Sequence, residues 1–320
     1  GYTVYGHWLD IGLGGREAAA EVAESLGIPF SAGDIRRELE TEVMAPFQRD
    51  YLAGRTPLPC ARCNPTVKFP ALFRRAEEVG AQFVATGHYA RIRQTEYGPA
   101  LCRGAHTNDQ AYMLARLPRQ WLGRLLFPIG GYEKTQVREL ARGYGIPVAD
   151  KPDSMEICFI PDKDYIGWIS RRTSMPGAGK FILHGEVIGE HDGICRYTVG
   201  QRRGLGISHG ERLYVCRIDP ERNEVVLGEE KDLYRSEAAV SDVNWISGET
   251  PREPVRCAVK IRYRAREQAA TVYPEENGRG RIVFDAPQCA VTPGQAAVFY
   301  DGNTVLGGGT ICLLYTSDAA

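Results

Sequence analysis

Two hydrophobic rhythms divide this chain. In the first half, Ala19, Val22, Ala23 and Leu26 recur at helical spacing, Gly27 offers a C-terminal cap, and Ile28-Pro29-Phe30 starts a strand. The same order returns at Val137, Leu140 and Ala141, followed by Gly145-Ile146-Pro147-Val148. Between them the spacing predicts a helix from about Asp34 to Phe47, a second carrying Phe69, Leu72, Phe73 and Ala76, and a strand over Gln82-Phe83-Val84-Ala85-Thr86. An opening strand is expected over Tyr2-Thr3-Val4-Tyr5-Gly6. Such alternation implies an α/β domain with a parallel sheet covered by helices. Ligands in that architecture bind beyond the carboxyl ends of the strands, where Gly87-His88-Tyr89 falls.

After about residue 172 short alternating strands take over, separated by Gly, Asp and Asn turns. They are expected over Lys180–Leu183, Glu186–Ile188, Leu213–Ile218, Glu224–Leu227, Val255–Arg262, Gln268–Val272, Arg281–Phe284 and Ala297–Tyr300. This half reads as all-β, one small module followed by a barrel, with a composition break near Glu229 to Glu237. The expected domains are therefore 1–172, 173–235 and 236–311, with 312–320 read as a tail that abandons the preceding strand pattern.

The chain has 320 residues, 43% of them hydrophobic, enough for two or three cored domains. A net charge of −1 gives no global sign of nucleic-acid binding, so any polyanion must be held by local basic clusters. An odd count of nine cysteines and no secretory h-region argue for a reducing, cytoplasmic setting.

Most of the cysteines suit strand interiors: Cys216, Cys257 and Cys289 all lie in strand-like runs. Cys63, in Arg55-Thr56-Pro57-Leu58-Pro59-Cys60-Ala61-Arg62-Cys63-Asn64, and Cys158, in Asp153-Ser154-Met155-Glu156-Ile157-Cys158-Phe159-Ile160, differ. Their surroundings are loop-like, and loops are where a thiol meets substrate. Cys60 and Cys63 form a CxxC, but a structural zinc needs four ligands, and neither a second CxxC nor a His pair at ligand spacing follows. The flanking prolines and Asn64 do not place the pair at a helix start directly after a strand, as a thioredoxin-like motif requires.

An ordered series of short motifs adds to this. It runs Tyr51-Leu52-Ala53-Gly54-Arg55-Thr56-Pro57, Cys63-Asn64, Lys68-Phe69, Ala85-Thr86-Gly87-His88-Tyr89-Ala90-Arg91, Asp109-Gln110 and Ala149-Asp150-Lys151. It continues through Glu156-Ile157-Cys158-Phe159-Ile160, Gly200-Gln201-Arg202, Gly204-Leu205-Gly206, Lys260-Ile261-Arg262-Tyr263-Arg264, Val291-Thr292-Pro293-Gly294-Gln295 and Val305-Leu306-Gly307-Gly308-Gly309. The series, from about Gly1 to Ile311, resembles the tRNA-specific 2-thiouridylases of bacteria (MnmA/TrmU).

The resemblance implies an N-terminal PP-loop ATP-pyrophosphatase domain, adenine nucleotide alpha hydrolase-like, followed by a small β-rich domain and a C-terminal β-barrel that help hold tRNA. ATP, with Mg2+, would adenylate the C2 oxygen of the wobble uridine, and sulfur would then displace AMP. Cys158 would carry sulfur as a persulfide received from a donor protein, and Cys63 would help release it, leaving a Cys63 to Cys158 disulfide. Leu9 and Gly87 would line the ATP site, and Leu58, Pro59 and Cys60 would lie against the flipped base. His88, Asn108, Asp109, Gln110, Arg262, Tyr263 and Gln295 would contact tRNA. Read from the residues alone, His88 suits a capping or packing histidine, and Arg262 a solvated charge on a barrel face.

Two features depart from the family pattern. Its phosphate-cradling Ser-Gly-Gly-Val-Asp-Ser-Ser loop is expected ahead of Gly1, and Gly12-Leu13-Gly14-Gly15 falls one loop too late to replace it, so the chain is read as an inactive fragment. Leu58 stands where the family usually has Asn. A non-catalytic RNA-binding protein and another PP-loop ATP pyrophosphatase are the alternatives.

Overall fold

The computed structural model describes residues 1–150 and 157–312, and its chain divides into two compact units. Most of the expected Cys158 approach, 151–156, and the tail from 313 onward lie outside the described residues.

The first unit comprises 1–45, 59–163 and 303–305. Strand Gly6–Asp10 pairs in parallel with Phe30–Asp34, in register from Gly6 opposite Phe30 to Asp10 opposite Asp34. Helix Arg16–Ser25 makes the crossover. The opening strand thus begins where the expectation ended. The ladder starts with the Gly6 N–H donating to Pro29 O at 2.8 Å, and Tyr2 and Val4 stay exposed. A second parallel pair joins Val84–Ala85 to Leu125–Leu126. The strand expected over 82–86 shrinks to these two residues plus one bond from Thr86 N–H to Leu126 O at 3.1 Å.

Helix Phe69–Glu78 buries Phe69, Ala71, Phe73 and Ala76, the stripe that the 3.6-residue period demands. The helix expected over 34–47 is instead three pieces: α-helical Arg36–Leu39, a π-helical turn over Glu40–Met44, and α-helical Ala45–Leu52. An antiparallel hairpin, Ala90–Thr95 with Gly98–Arg103, was not expected in this half.

The second unit holds 46–58, 164–302 and 306–320. One sheet orders Glu186–His191, Gly179–Leu183, Glu224–Gly228 and Tyr214–Asp219, its middle pair parallel. The other closes a six-strand barrel: Tyr234–Trp245, Gly280–Cys289, Gln268–Pro274, Val255–Lys260, Ala296–Asp301 and Thr304–Ile311, which pairs back with the first. Closure removes the edge that an open sheet exposes. Val240, Val259, Val272, Ile282 and Phe299 fill the interior.

Segment 46–58, read from sequence as part of the first domain, belongs here. Tyr51 stacks on Tyr165 with centroids 4.6 Å apart, and Phe47 meets Trp168 edge-on at 5.8 Å. Thr56 receives the Gln295 amide on its carbonyl at 2.8 Å, donates its N–H to Pro293 O at 2.9 Å and pairs its hydroxyl with Thr198 at 3.0 Å. Several of the short motifs are therefore joints of the fold. Among the described residues no helix is long and apolar enough to cross a membrane.

Candidate active site

Three thiols gather in the first unit. Pro59 opens the helical turn Pro59–Cys63, where its missing N–H costs nothing, and Cys60 and Cys63 lie three residues apart on that turn. Side chains at that spacing share a face, their Cβ atoms about 5–6 Å apart. Cys158 comes from a tight turn in which the Ile160 N–H donates to Ile157 O at 2.9 Å. Cys60 and Cys158 are exposed and Cys63 is half-buried.

Although two of these residues are exposed, the protein around all three sulfurs disfavours the thiolate. Burial pushes Cys63 up to about 11, against an opposing pull from the Lys68 ammonium; the nearby Cys158 and Cys60 add to the rise. Burial and then Cys60 raise Cys158, while Lys68 and backbone amides at 158 and 159 draw it down. Cys60 is raised by burial and lowered by Lys68.

A π-helical turn puts Lys68 there. Pro65 and Pro70 each lack the N–H that an α-helix would use, and the Phe69 N–H reaches back five residues to Asn64 O. In an α-helix two residues five apart would diverge by about 140°. The wider turn instead keeps Lys68 near Cys63, five residues before it. Asn64 is buried, donates to Met113 O at 2.9 Å and leaves its Oδ1 without a protein partner.

His88 lies beside the same ammonium, which together with burial holds its pKa down to about 3, burial being the larger cause. Its Nδ1 shares a 2.6 Å hydrogen bond with the Thr86 hydroxyl, and the ring stacks on Phe69 at 5.8 Å and meets Phe127 edge-on at 5.9 Å. It is neutral at physiological pH and offers RNA no positive charge.

The other expected RNA contacts carry structural bonds. Asp109 Oδ1 accepts from the N–H groups of Gly104 and Ala111, both at 2.9 Å, and Gln110 Oε1 accepts from the Tyr89 N–H at 3.0 Å. Asn108 is half-buried between exposed Thr107 and these two. Arg262 is not a solvated charge. Its Nη2 reaches Val199 O at 3.0 Å, Ala290 O at 2.8 Å and the Thr292 hydroxyl. Tyr263 sits under the Lys260 ammonium at 5.6 Å, and Gln295 is bonded to Thr56.

Leu58 is half-buried and ends the segment assigned to the second unit, while Pro59 and Cys60 begin the thiol turn of the first. Leu9 lines a cavity of about 260 Å³ with His7, Gly33, Asp34, Arg74 and Arg75. Gly87 does not line it and has room for a Cβ, whose nearest contact would be Ile129 at 3.8 Å. Pockets for drug-sized ligands start at roughly 300 Å³. This cavity is smaller than that, and its lining contains one glycine, Gly33, rather than a glycine-rich run of phosphate-binding amides. No group of three or more His, Cys, Asp or Glu side chains among the described residues is arranged to hold a metal ion.

In the sequence Lys68 stands within the Lys68-Phe69 motif without an assigned role. The available signal was the Pro65 and Pro70 spacing, which breaks α-helical bonding on both sides of it.

A parallel α/β unit carrying three thiols beside one cation thus lies in a chain that also holds a closed β-barrel. Family models match in three stretches: a tRNA methyl transferase HUP domain over residues 14–162, a tRNA methyl transferase PRC-barrel domain over 170–229 and an aminomethyltransferase β-barrel domain over 235–311. The chain is 44% identical over 299 residues to the tRNA-specific 2-thiouridylase MnmA of Acidithiobacillus ferrooxidans, covering 92% of this chain and 85% of that protein. It is 42% identical over 323 residues to MnmA 2 of Clostridium botulinum strain Langeland, covering 97% and 92%. Against MnmA of Acetivibrio thermocellus it is 46% identical over 298 residues, covering 92% and 83%. The chain belongs to the tRNA-specific 2-thiouridylase family.

Proposed function

We propose that this protein replaces the C2 oxygen of the wobble uridine of tRNA with sulfur, at the expense of ATP. The observation that carries the reading is the shared surroundings of Cys63 and Cys158, thiols from distant segments beside one ammonium. The C2 carbonyl is urea-like and a poor electrophile, so ATP supplies the adenylate that makes its oxygen a leaving group. A persulfide on Cys158, loaded by a donor protein, attacks C2 through its terminal sulfur and AMP departs. The Cys63 thiolate then attacks the Cys158 sulfur, breaking the sulfur–sulfur bond and leaving the terminal sulfur on the base. A Cys63 to Cys158 disulfide results, and a dithiol reductant resets it.

Persulfide is the right carrier because it is far more acidic than a thiol. Both Cys63 and Cys158 are held above the ordinary thiol range by burial. Leu58, Pro59 and Cys60 contact the flipped base, and Leu9 and Gly87 belong to the ATP site, with Mg2+ accompanying the nucleotide. His88 and Asn108–Gln110 in one unit, and Arg262, Tyr263 and Gln295 in the other, border the tRNA, His88 as a neutral ring and Tyr263 as a stacking surface.

Mass spectrometry of tRNA after incubation with the full-length protein, ATP and a persulfide donor tests this. The expected product is uridine with sulfur in place of one oxygen. A methylated nucleoside, or unmodified tRNA in reactions where a known thiouridylase succeeds, would overturn it.

A further inference from the structure

Lys68 is a half-buried ammonium with no carboxylate partner among the described residues, whereas the half-buried Arg55 is paired with Asp50 and Arg75 with Glu78. The titratable groups that face it come from three elements: Cys60 and Cys63 on the Pro59–Cys63 turn, Cys158 on the 157–160 turn, and His88 after the Val84–Ala85 strand. None of them carries a negative charge in the resting protein: the thiols are raised and His88 is neutral. A cation with no carboxylate partner among the described residues, held in place by a π-helical turn, is suited to an anion that forms during the reaction.

We propose that Lys68 is the positioning cation of this site, holding whichever sulfur anion, thiolate or persulfide, forms on Cys63 or Cys158. The assignment rests on the sulfur-transfer reading for its purpose, but the electrostatic claim stands without tRNA or ATP. Lys68 forms no bond to sulfur and transfers no proton. It favours the charged sulfur over the neutral one by Coulomb attraction in surroundings less polarisable than water. Burial first and the same charge second keep His88 neutral.

The test is the pH dependence of alkylation of each cysteine by neutral iodoacetamide, read by peptide mass spectrometry in the intact chain, Lys68→Met and Lys68→Arg. Near neutral pH, Lys68→Met should slow labelling of Cys63 and Cys158 by about tenfold, the change for one pKa unit, and move both profiles to higher pH. Lys68→Arg should restore most of the rate, and Cys289, exposed in the other unit, should be unaffected. A second measurement on the unmutated protein covers the case in which Lys68→Met misfolds. The rate ratio of anionic iodoacetate to iodoacetamide at Cys63 and Cys158 should exceed that of the urea-unfolded chain and fall with added salt. Unshifted profiles in Lys68→Met, or an iodoacetate ratio equal to that of the unfolded chain, would overturn the proposal. Shifted profiles in a protein that fails to thiolate tRNA would leave Lys68 standing and sink the sulfur-transfer reading.

Discussion

Arg262→Lys separates two jobs for one charge. As an RNA ligand Arg262 would act through its positive charge, which Lys keeps. As a clamp it acts through one guanidinium nitrogen, Nη2, which reaches Val199 O, Ala290 O and the Thr292 hydroxyl from a position that an ammonium on a shorter, differently shaped stem does not occupy. An acceptor left unsatisfied in a buried place costs about 1–3 kcal/mol, and two carbonyls and one hydroxyl are at stake, Thr292 being almost fully buried. Ala290 O keeps the Thr292 hydroxyl at 2.8 Å and Lys recovers one bond, so one acceptor is left and the net loss is about 1–3 kcal/mol. At about 2–4 °C per kcal/mol for a unit of this size, the melting transition should fall by roughly 2–12 °C. Tight packing adds to this, since a Cβ on Gly200 would meet Ala290 Cβ at 2.7 Å. The assays are calorimetry and tRNA affinity measured against salt. Removing a phosphate contact would lower the log–log salt slope by about one. Unchanged melting with a salt slope reduced by one would refute the clamp and restore Arg262 to direct RNA binding.

Cys63→Ser and Cys158→Ser should each abolish thiolation, whereas Cys257→Ser, inside the barrel, should change stability alone; activity in either of the first two, assayed by tRNA mass spectrometry, would reassign the thiols. His88 has a folded pKa of about 3, below its unfolded value of 6.5, so its contribution to stability is present above pH 6.5 and drains away as pH falls towards 3. His88→Phe should therefore flatten the acid limb of a melting-temperature profile, and an unchanged limb would count against a neutral buried ring. Gly294→Ala, at φ +90° with its new Cβ 2.9 Å from the Thr56 backbone, should lower the melting temperature clearly, and a variant as stable as its parent would show that the Thr56 joint can yield.

The change from α/β to all-β was legible because periodicity is local. Val259, Val272 and Phe299 alternate inward as the pattern required. Where pairing depends on distant chain, the pattern failed. Segment 46–58 reads like any helix and loop, but its partners Thr198, Pro293 and Gln295 lie far along the sequence. The hairpin over 90–103 alternates Arg91, Ile92 and Arg93 in a run short enough to pass as a loop after the strand. Strand Tyr234–Trp245 was hidden because its charged start, Arg235 and Glu237, looked like a domain boundary. Of the site, Cys63 and Cys158 stood out by their loop composition. Lys68 did not, because what distinguishes it is a π-helical turn and the lack of a carboxylate partner among the described residues, and no spacing rule reports either.

The central claim is that sulfur rides on Cys158 and leaves through Cys63. Peptide mapping of the full-length protein tests it most directly, first after loading by a persulfide donor and again after one turnover with tRNA and ATP but no reductant. The first sample should hold a persulfide on Cys158 and the second a Cys63 to Cys158 disulfide. A persulfide on Cys63, or a disulfide that consistently joins Cys60 to Cys158 instead, would contradict it.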